Sequence, residues 1–346
     1  MKAIAGPELA ELCEVSARIG ADPLLVQGPG GNTSFKSGDQ LWVKASGVWL
    51  AEANVRPIFA GLSLAKARRL AADGHTADFT PACLPGSQPS HRPSIETAFH
   101  ALMPHRAVVH AHAVGSMTIS ILEEGPALAA TALIGLDWAW VPYHRPGAPL
   151  AAAVENILSR RRVDVLILQN HGVIIGAETP KRAEVLLREV ESRLDFPVRS
   201  PPQIDSTPLA ILQTDRYEPI PSVSPLAHVP ELFEAVTTAA LFPDQVVFLG
   251  GAVPASTSGE TIDEAADRTR AESGIAPALV LSQGIGAFGA RNRTPAASAV
   301  IHGLFEVVRR LPVGARIRGL PREAVSALLN WEAESYRVNL AGSGEH

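Results

Sequence analysis

Cysteine is nearly absent: the 346 residues hold two, Cys13 and Cys83, far apart and in no metal-type spacing. That speaks against a disulfide-stapled scaffold or a thiolate metal site, and leaves thiols suited to a reducing compartment. Positive charge is scarce as well. The formal net charge is -5, and no Lys/Arg cluster compensates locally, so no nucleic-acid partner is expected. No run of eighteen apolar residues is present to cross a bilayer, and no membrane association is expected. The first twenty residues carry Glu8, Glu11 and Glu14 between apolar positions, the pattern of an amphipathic helix and not of a signal peptide. The cytoplasm is the expected location. Internal repeats and low-complexity tracts are missing too, so the chain is read as ordinary folded protein with length for two domains.

What is present is hydrophobic patterning of two periods. Leu9, Leu12, Cys13 and Ile19 make a helical stripe, while residues 41–44, 107–112, 165–168 and 173–175 are apolar and β-branched enough for strands. Residues 150–158 predict a helix, as do residues 181–194, with Thr179 as cap and Pro180 at the first helical position. Residues 77–93 carry Pro81, Pro85, Pro89 and Pro93, an irregular loop that delivers the chain to Ser94 and to Glu96, in the first turn of a helix reaching Leu102. Alternating strands and helices imply an α/β layered domain over residues 1–200. Residues 201–224 lack sustained periodicity and contain Pro201, Pro202, Pro208, Pro219 and Pro221, so they are read as a linker. Residues 225–346 form a smaller α/β unit, with strands expected at 245–249 and 278–281 and helices near 294–310 and 322–337.

Three histidines carry the chemistry. His110 and His112 stand two apart on an expected strand, so both imidazoles project from one face and can reach one ion. His171 sits in the short turn Asn170-His171-Gly172 between two buried strands, a rigid mount for a third ligand. Three neutral nitrogens leave an open coordination position of the kind a catalytic zinc site needs and a four-ligand structural site lacks. Glu96 supplies a carboxylate base beside them.

A glycine-rich run, Gly28 to Ser34, offers backbone amides together with the side chains of Asn32, Thr33 and Ser34, and can wrap a phosphate. Ser46, Gly47 and Ser94 can add to it. The run has no Gly-Lys-Ser/Thr ending, so it is no Walker loop. A second glycine motif, Gly284 to Gly289, fits the GxGxxG spacing of a dinucleotide loop. The acidic residue that should follow, Glu306, lies inside a helical apolar pattern and not at a strand end, so a tight turn is the better reading and no nucleotide cofactor is expected.

With these residues in place the sequence resembles the class II aldolase and adducin family. The resemblance runs from residue 5 to about 196 through Gly31-Asn32-Thr33-Ser34, Lys44-Ala45-Ser46-Gly47, Pro93-Ser94-Ile95-Glu96, His110-Ala111-His112 and Asn170-His171-Gly172. From residue 225 onward it is similar to the tail of long rhamnulose-1-phosphate aldolase-like proteins, in which a short-chain dehydrogenase domain follows. The resemblance implies a three-layer α/β domain around a central β-sheet. It implies His110, His112 and His171 as ligands of a divalent metal, usually zinc, Glu96 as the acid/base, and Asn32, Ser46, Gly47 and Ser94 around the phosphate. Ile95 departs from relatives with a hydroxyl residue there, which bears on whether the substrate is phosphorylated. Tyr143 is the nearest candidate for a tyrosine that assists catalysis from a neighbouring subunit in fuculose-phosphate aldolase. Symmetric homo-tetramers are common in the family.

The activity so implied is a metal-dependent lyase that cleaves a sugar phosphate or related hydroxy-ketone through a metal-stabilised enediolate, with no Schiff-base lysine. A decarboxylase or epimerase of a sugar acid phosphate uses the same site, although the epimerases tend to have aspartate where Glu96 stands. A non-catalytic scaffold, as in the adducins, is the alternative from another class. Those relatives lack the intact histidine set.

Overall fold

The computed structural model describes residues 6–74, 78–86, 92–200, 202 and 211–336. Its contacts divide into two units: one holds residues up to Ser120 and Gly125–Asp195, the other Ile121–Glu124 and the described residues from Phe196 onward. No single helix among the described residues is long and apolar enough to cross a membrane.

The first unit runs α1 (Pro7–Gly20), β1 (Asn32–Ser37), β2 (Gln40–Lys44), β3 (Phe59–Ser63), α2 (Leu64–Ala72), α3 (Thr97–Leu102), β4 (Ala107–Ala111), α4 (Val114–Ser120), α5 (Gly125–Ala132), β5 (Trp138–Val141), α6 (Ala148–Leu158), β6 (Val165–Leu168), β7 (Gly172–Ala177) and α7 (Pro180–Arg193). The strands form one sheet in the order β3-β2-β1-β4-β7-β6-β5, antiparallel except for β5 beside β6. Side chains alternate between its faces. Leu41, Val43, Val108, Leu166 and Ile174 pack with Phe99, Leu150 and Val154 from α3 and α6, while α1, α4 and α7 cover the other face. Three layers result, as expected. Local chemistry agrees with this arrangement: Thr179 accepts a hydrogen bond from the Arg182 amide and Pro180 opens α7, while Ser63 caps α2 through the Lys66 amide.

The strand directions place the site. With nearest neighbours antiparallel, the C-terminal ends of β2, β4 and β6 and the N-terminal ends of β1 and β7 meet along one edge of the sheet. Ser46, His112, His171 and Asn32 all fall there.

One buried charge in this unit has a measurable consequence. Lys36 on β1 is 5% exposed and donates to the carbonyls of Met103 (2.9 Å) and His105 (2.7 Å). Burial, with the Arg68 charge second, pushes its amine down to about 7. The unfolded chain keeps the ordinary value, so between these two pKa values it binds more protons than the folded chain, and stability rises with pH there. The slope reaches at most about 1.4 kcal/mol per pH unit. Lys36→Met is expected to flatten urea-unfolding stability against pH over about pH 7.5 to 9.5. An unchanged slope would show that Lys36 is not the group responsible.

In the second unit β8 (Tyr217–Pro219), β9 (Leu279–Ser282) and β10 (Gly286–Ala290) form an antiparallel sheet in the order β8-β10-β9. Phe288 and Val280 pack there with Ile262, Ala265 and Ala266 of the helix Ile262–Ser273. Three expectations are corrected. The segment read as linker is partly folded, since Tyr217–Pro219 is an edge strand; much of the rest, residues 201 and 203–210, lies outside the described residues. Residues 245–249 are not a strand but belong to the helix Pro243–Leu249, with proline at its start and Gly250 in the left-handed conformation (φ 89°) at its end. Those two caps outweigh the β-branched composition between them. Residues 322–337 are not one helix either: Arg322–Leu329 ends at Asn330, and residues 332–336 form a separate turn of helix.

The glycines at 284–289 form the hairpin between β9 and β10, with Gly284 in its turn (φ 73°) and Gly286 opposite Ser282. A dinucleotide loop needs strand, turn and helix; here a second strand follows. At Gly289 a Cβ would lie 2.5 Å from Cδ1 of Ile220, so a larger residue there would have to displace the end of that side chain.

Candidate metal centre

His110 is the penultimate residue of β4, and His112 lies just beyond the strand's end. His171 occupies the connection between β6 and β7. That turn depends on two unusual backbones: Asn170 is the one non-glycine residue with positive φ (54°) among the described residues, and Gly172 has φ 149°. A Cβ on Gly172 would stand 2.4 Å from the Ala111 carbonyl oxygen, so glycine lets the His171 turn lie against the strand carrying the other two histidines.

The three rings converge. His110 is fully buried, and His112 and His171 are 5% and 4% exposed. Ring centroids are 4.8 to 5.2 Å apart and one candidate ligand atom from each falls within 4.8 Å of the others. His110 Nδ1 faces the Val173 carbonyl at 3.0 Å, so Nδ1 carries the proton and Nε2 keeps its lone pair. Nε2 of His112 lies 3.2 Å from Nε2 of His110. Two nitrogens held tetrahedrally by one zinc at about 2.05 Å stand about 3.3 Å apart, so this donor set fits a divalent metal.

Glu96, 6% exposed, is the N-cap residue of α3. Its Oε2 lies 3.5 Å from His110 Nε2 and its Oε1 3.7 Å from His171 Nε2. Oε2 accepts from Asn32 Nδ2 at 2.8 Å, whereas Oε1 accepts no hydrogen bond from any described residue. Asn32 is directly opposite His110 in the β1–β4 register. Gly31 (φ 63°) makes that approach possible, because a Cβ there would be 2.8 Å from the His110 carbonyl oxygen. Ser94 is brought in by backbone pairing of residues 92–94 with 44–46: Ser46 N donates to Arg92 O and Ser94 N to Lys44 O. Ser94 Oγ then accepts from Asn32 Nδ2 (3.3 Å) and from the Glu96 amide (3.2 Å).

Asn32, Ser94, Glu96, His110, His112 and His171 are therefore one cluster. Ser46 and Gly47 are buried beside it, just past the end of β2. Lys44 donates to the carbonyls of Pro29 and Val48, tying the glycine-rich run to the turn after β2. Two side chains expected to face a phosphate do not. Thr33 shares a 2.7 Å hydrogen bond with Ser16 of α1, and Ser34 one of 2.7 Å with His100, because both belong to β1 and point into the layers on either side of it. The Tyr143 hydroxyl, which follows β5 at the same sheet edge, is buried without a hydrogen-bond partner among the described residues, and burial pushes its pKa up to about 12.

Sequence reasoning passed over His100. It is fully buried and bonded to Asn32 and Ser34, and burial, then the charges of Lys36 and His110, hold its pKa well below the usual imidazole value. The signal was available: His100 stands four residues after Glu96, on the same side of a helix.

Residues 10–196 match the family described as Class II Aldolase and Adducin N-terminal domain. The uncharacterized oxidoreductase YuxG of Bacillus subtilis (strain 168) is 32% identical over 184 residues, 49% of this chain and 26% of that protein, so the chain spans about a quarter of the length of this curated relative. Among solved structures, the N-terminal class II aldolase domain of a conserved protein from Thermoplasma acidophilum is 27% identical, with 56% of this chain and 94% of that one covered and a TM-score of 0.48. A sugar-phosphate aldolase from Thermotoga maritima is 17% identical, covering 54% of this chain and 93% of that one, with a TM-score of 0.41. The family match takes in more than half of the sequence and every residue of the cluster, from Asn32 to His171: the chain belongs to the class II aldolase and adducin family.

Proposed function

We propose that the protein is a metal-dependent aldolase, a lyase that breaks a carbon–carbon bond in a sugar phosphate or a related hydroxy-ketone. One observation carries this reading: three buried imidazoles converge beside a carboxylate that has one oxygen held and the other buried with no hydrogen-bond donor among the described residues. A divalent metal held by His110, His112 and His171, zinc by the chemistry of three neutral nitrogens, supplies a Lewis acid that polarises a substrate carbonyl.

The chain's own groups do the rest. Glu96 hands a proton to the carbon left with the electron pair when the bond breaks, and removes it in the reverse direction. Oε1 is the atom for this, since Oε2 is occupied by Asn32. Ser46, Gly47 and Ser94, at the same sheet edge, take the anionic group of the substrate. Asn32 contributes mainly by holding Glu96, as its amide is committed to Glu96, Ser94 and His100. The cluster's burial lowers the local dielectric, which strengthens each of these polar contacts.

The experiment is a cleavage screen of zinc-loaded protein across ketose 1-phosphates and keto sugar acids, followed by aldehyde release. At least one substrate is expected to be cleaved, and a chelator should abolish the activity. Failure of every substrate with metal bound overturns the reading.

A further inference from the structure

The cluster extends one step behind Glu96, and the direction of its hydrogen bonds can be worked out. An ionised carboxylate only accepts, so the Asn32 atom facing Glu96 Oε2 at 2.8 Å is Nδ2. The other end of that amide, Oδ1, then faces His100 and must accept a hydrogen bond from Nε2–H of the ring. A neutral imidazole has one donor and one acceptor, so Nδ1 accepts, and the Ser34 hydroxyl 2.7 Å away donates to it. The chain of donors therefore reads Ser34 to His100 to Asn32 to Glu96. Each of these residues is no more than 6% exposed, and water has little access to substitute for a missing member.

We propose that His100 is a positioning residue, whose Nε2-protonated tautomer fixes the Asn32 amide so that Glu96 is gripped by Oε2 and presents Oε1 as the proton-transfer atom. This rests on the aldolase reading for its catalytic consequence, but the tautomer and the amide orientation do not. Two elements hold the ring: β1 supplies Ser34 and Asn32, and α3 carries His100 itself together with Phe99, which stacks against it with centroids 4.6 Å apart. The opposite tautomer would put two acceptors, Nε2 and Oδ1, face to face in a site without solvent. Its relief is rotation of the Asn32 amide, which turns an acceptor toward the carboxylate and releases Glu96.

The first test uses the unaltered protein. In zinc-loaded protein labelled with 15N-histidine, the His100 signals should show a neutral ring with the proton on Nε2; a proton on Nδ1 overturns the inference. The second test follows deuterium uptake from heavy water into dihydroxyacetone phosphate, the probe for carbon deprotonation. His100→Phe should keep its zinc, lower kcat by about 30-fold and leave KM within about two-fold, the split expected when a catalytic group is misplaced. His100→Gln, whose amide can still donate to Asn32 and accept from Ser34, should recover to within about five-fold of the unaltered protein. A phenylalanine variant that exchanges at the unaltered rate also overturns the inference. If the unaltered protein exchanges nothing into this probe, the exchange is followed in the substrate that the cleavage screen identifies; where no screened substrate reacts, the aldolase reading is what fails, and the tautomer measurement alone decides the role of His100.

Discussion

Glu96→Gln is expected to retain one equivalent of metal and to lose turnover by about 10³-fold, within the range of removing a general acid–base group. The substitution is close to isosteric, and the surroundings accept it. The glutamine carbonyl can take the place of Oε2 and receive the 2.8 Å hydrogen bond from Asn32 Nδ2, which leaves the new NH2 group where Oε1 stood. No described residue donates to that position, so no donor is set against donor. His110, His112 and His171 are untouched, and metal analysis of the purified variant should show it. KM for the best substrate of the cleavage screen should change little, because the amide can neither take nor give the proton but fills the same space. Turnover equal to that of the unaltered protein would remove Glu96 from the reaction. Loss of metal along with turnover would make Glu96 a ligand instead of a base.

The convergence of the three imidazoles was legible because each histidine announces itself locally. The His110-Ala-His112 spacing and the Asn170-His171-Gly172 turn are short-range patterns: strand periodicity predicts that the first two imidazoles can face one ion, and the turn between two buried strands offers the mount for the third. The caps of α7 were readable for the same reason. What local pattern did not reveal is the use made of polar side chains inside the layers. Thr33 and Ser34 sit in a glycine-rich run that looks like a phosphate loop, yet β1 pairs with β4 and passes between α1 and α3, so each hydroxyl meets a partner far away in sequence, Ser16 or His100. The segment at 245–249 failed for a related reason. Val246, Val247 and Phe248 suit a strand, but a helix of seven residues is decided at its ends, by Pro243 and Gly250. Glu96 combined both situations: its place at the start of a helix was readable, while the division of its two oxygens follows from Asn32, which arrives 64 residues earlier in the chain.

His112→Ala is the substitution that isolates the metal. Unlike His110, whose Nδ1 is bonded to the backbone of β7 and whose ring meets Phe99 edge-on, His112 lies past the end of β4, so its loss disturbs the sheet least. With two imidazoles left, zinc content after metal-replete purification is expected to fall from one equivalent to less than about a tenth, since a three-nitrogen site relies on all its ligands. Folding stability gives a second readout. A ligand that binds only the folded chain stabilises it by about 2.7 kcal/mol when present at a hundred times its Kd. The unaltered protein should therefore unfold at higher urea with zinc than with chelator, and the variant should unfold at one midpoint in both. The comparison also separates the two readings of this family: a scaffold that had kept its histidines only for packing would show no difference between zinc and chelator in the unaltered protein. Because His110 Nδ1 donates to the Val173 carbonyl, its Nε2 is an acceptor that meets Nε2 of His112 at 3.2 Å; a cation bound there takes both nitrogens in place of the hydrogen between them, and the zinc-dependent shift measures the net gain of that exchange.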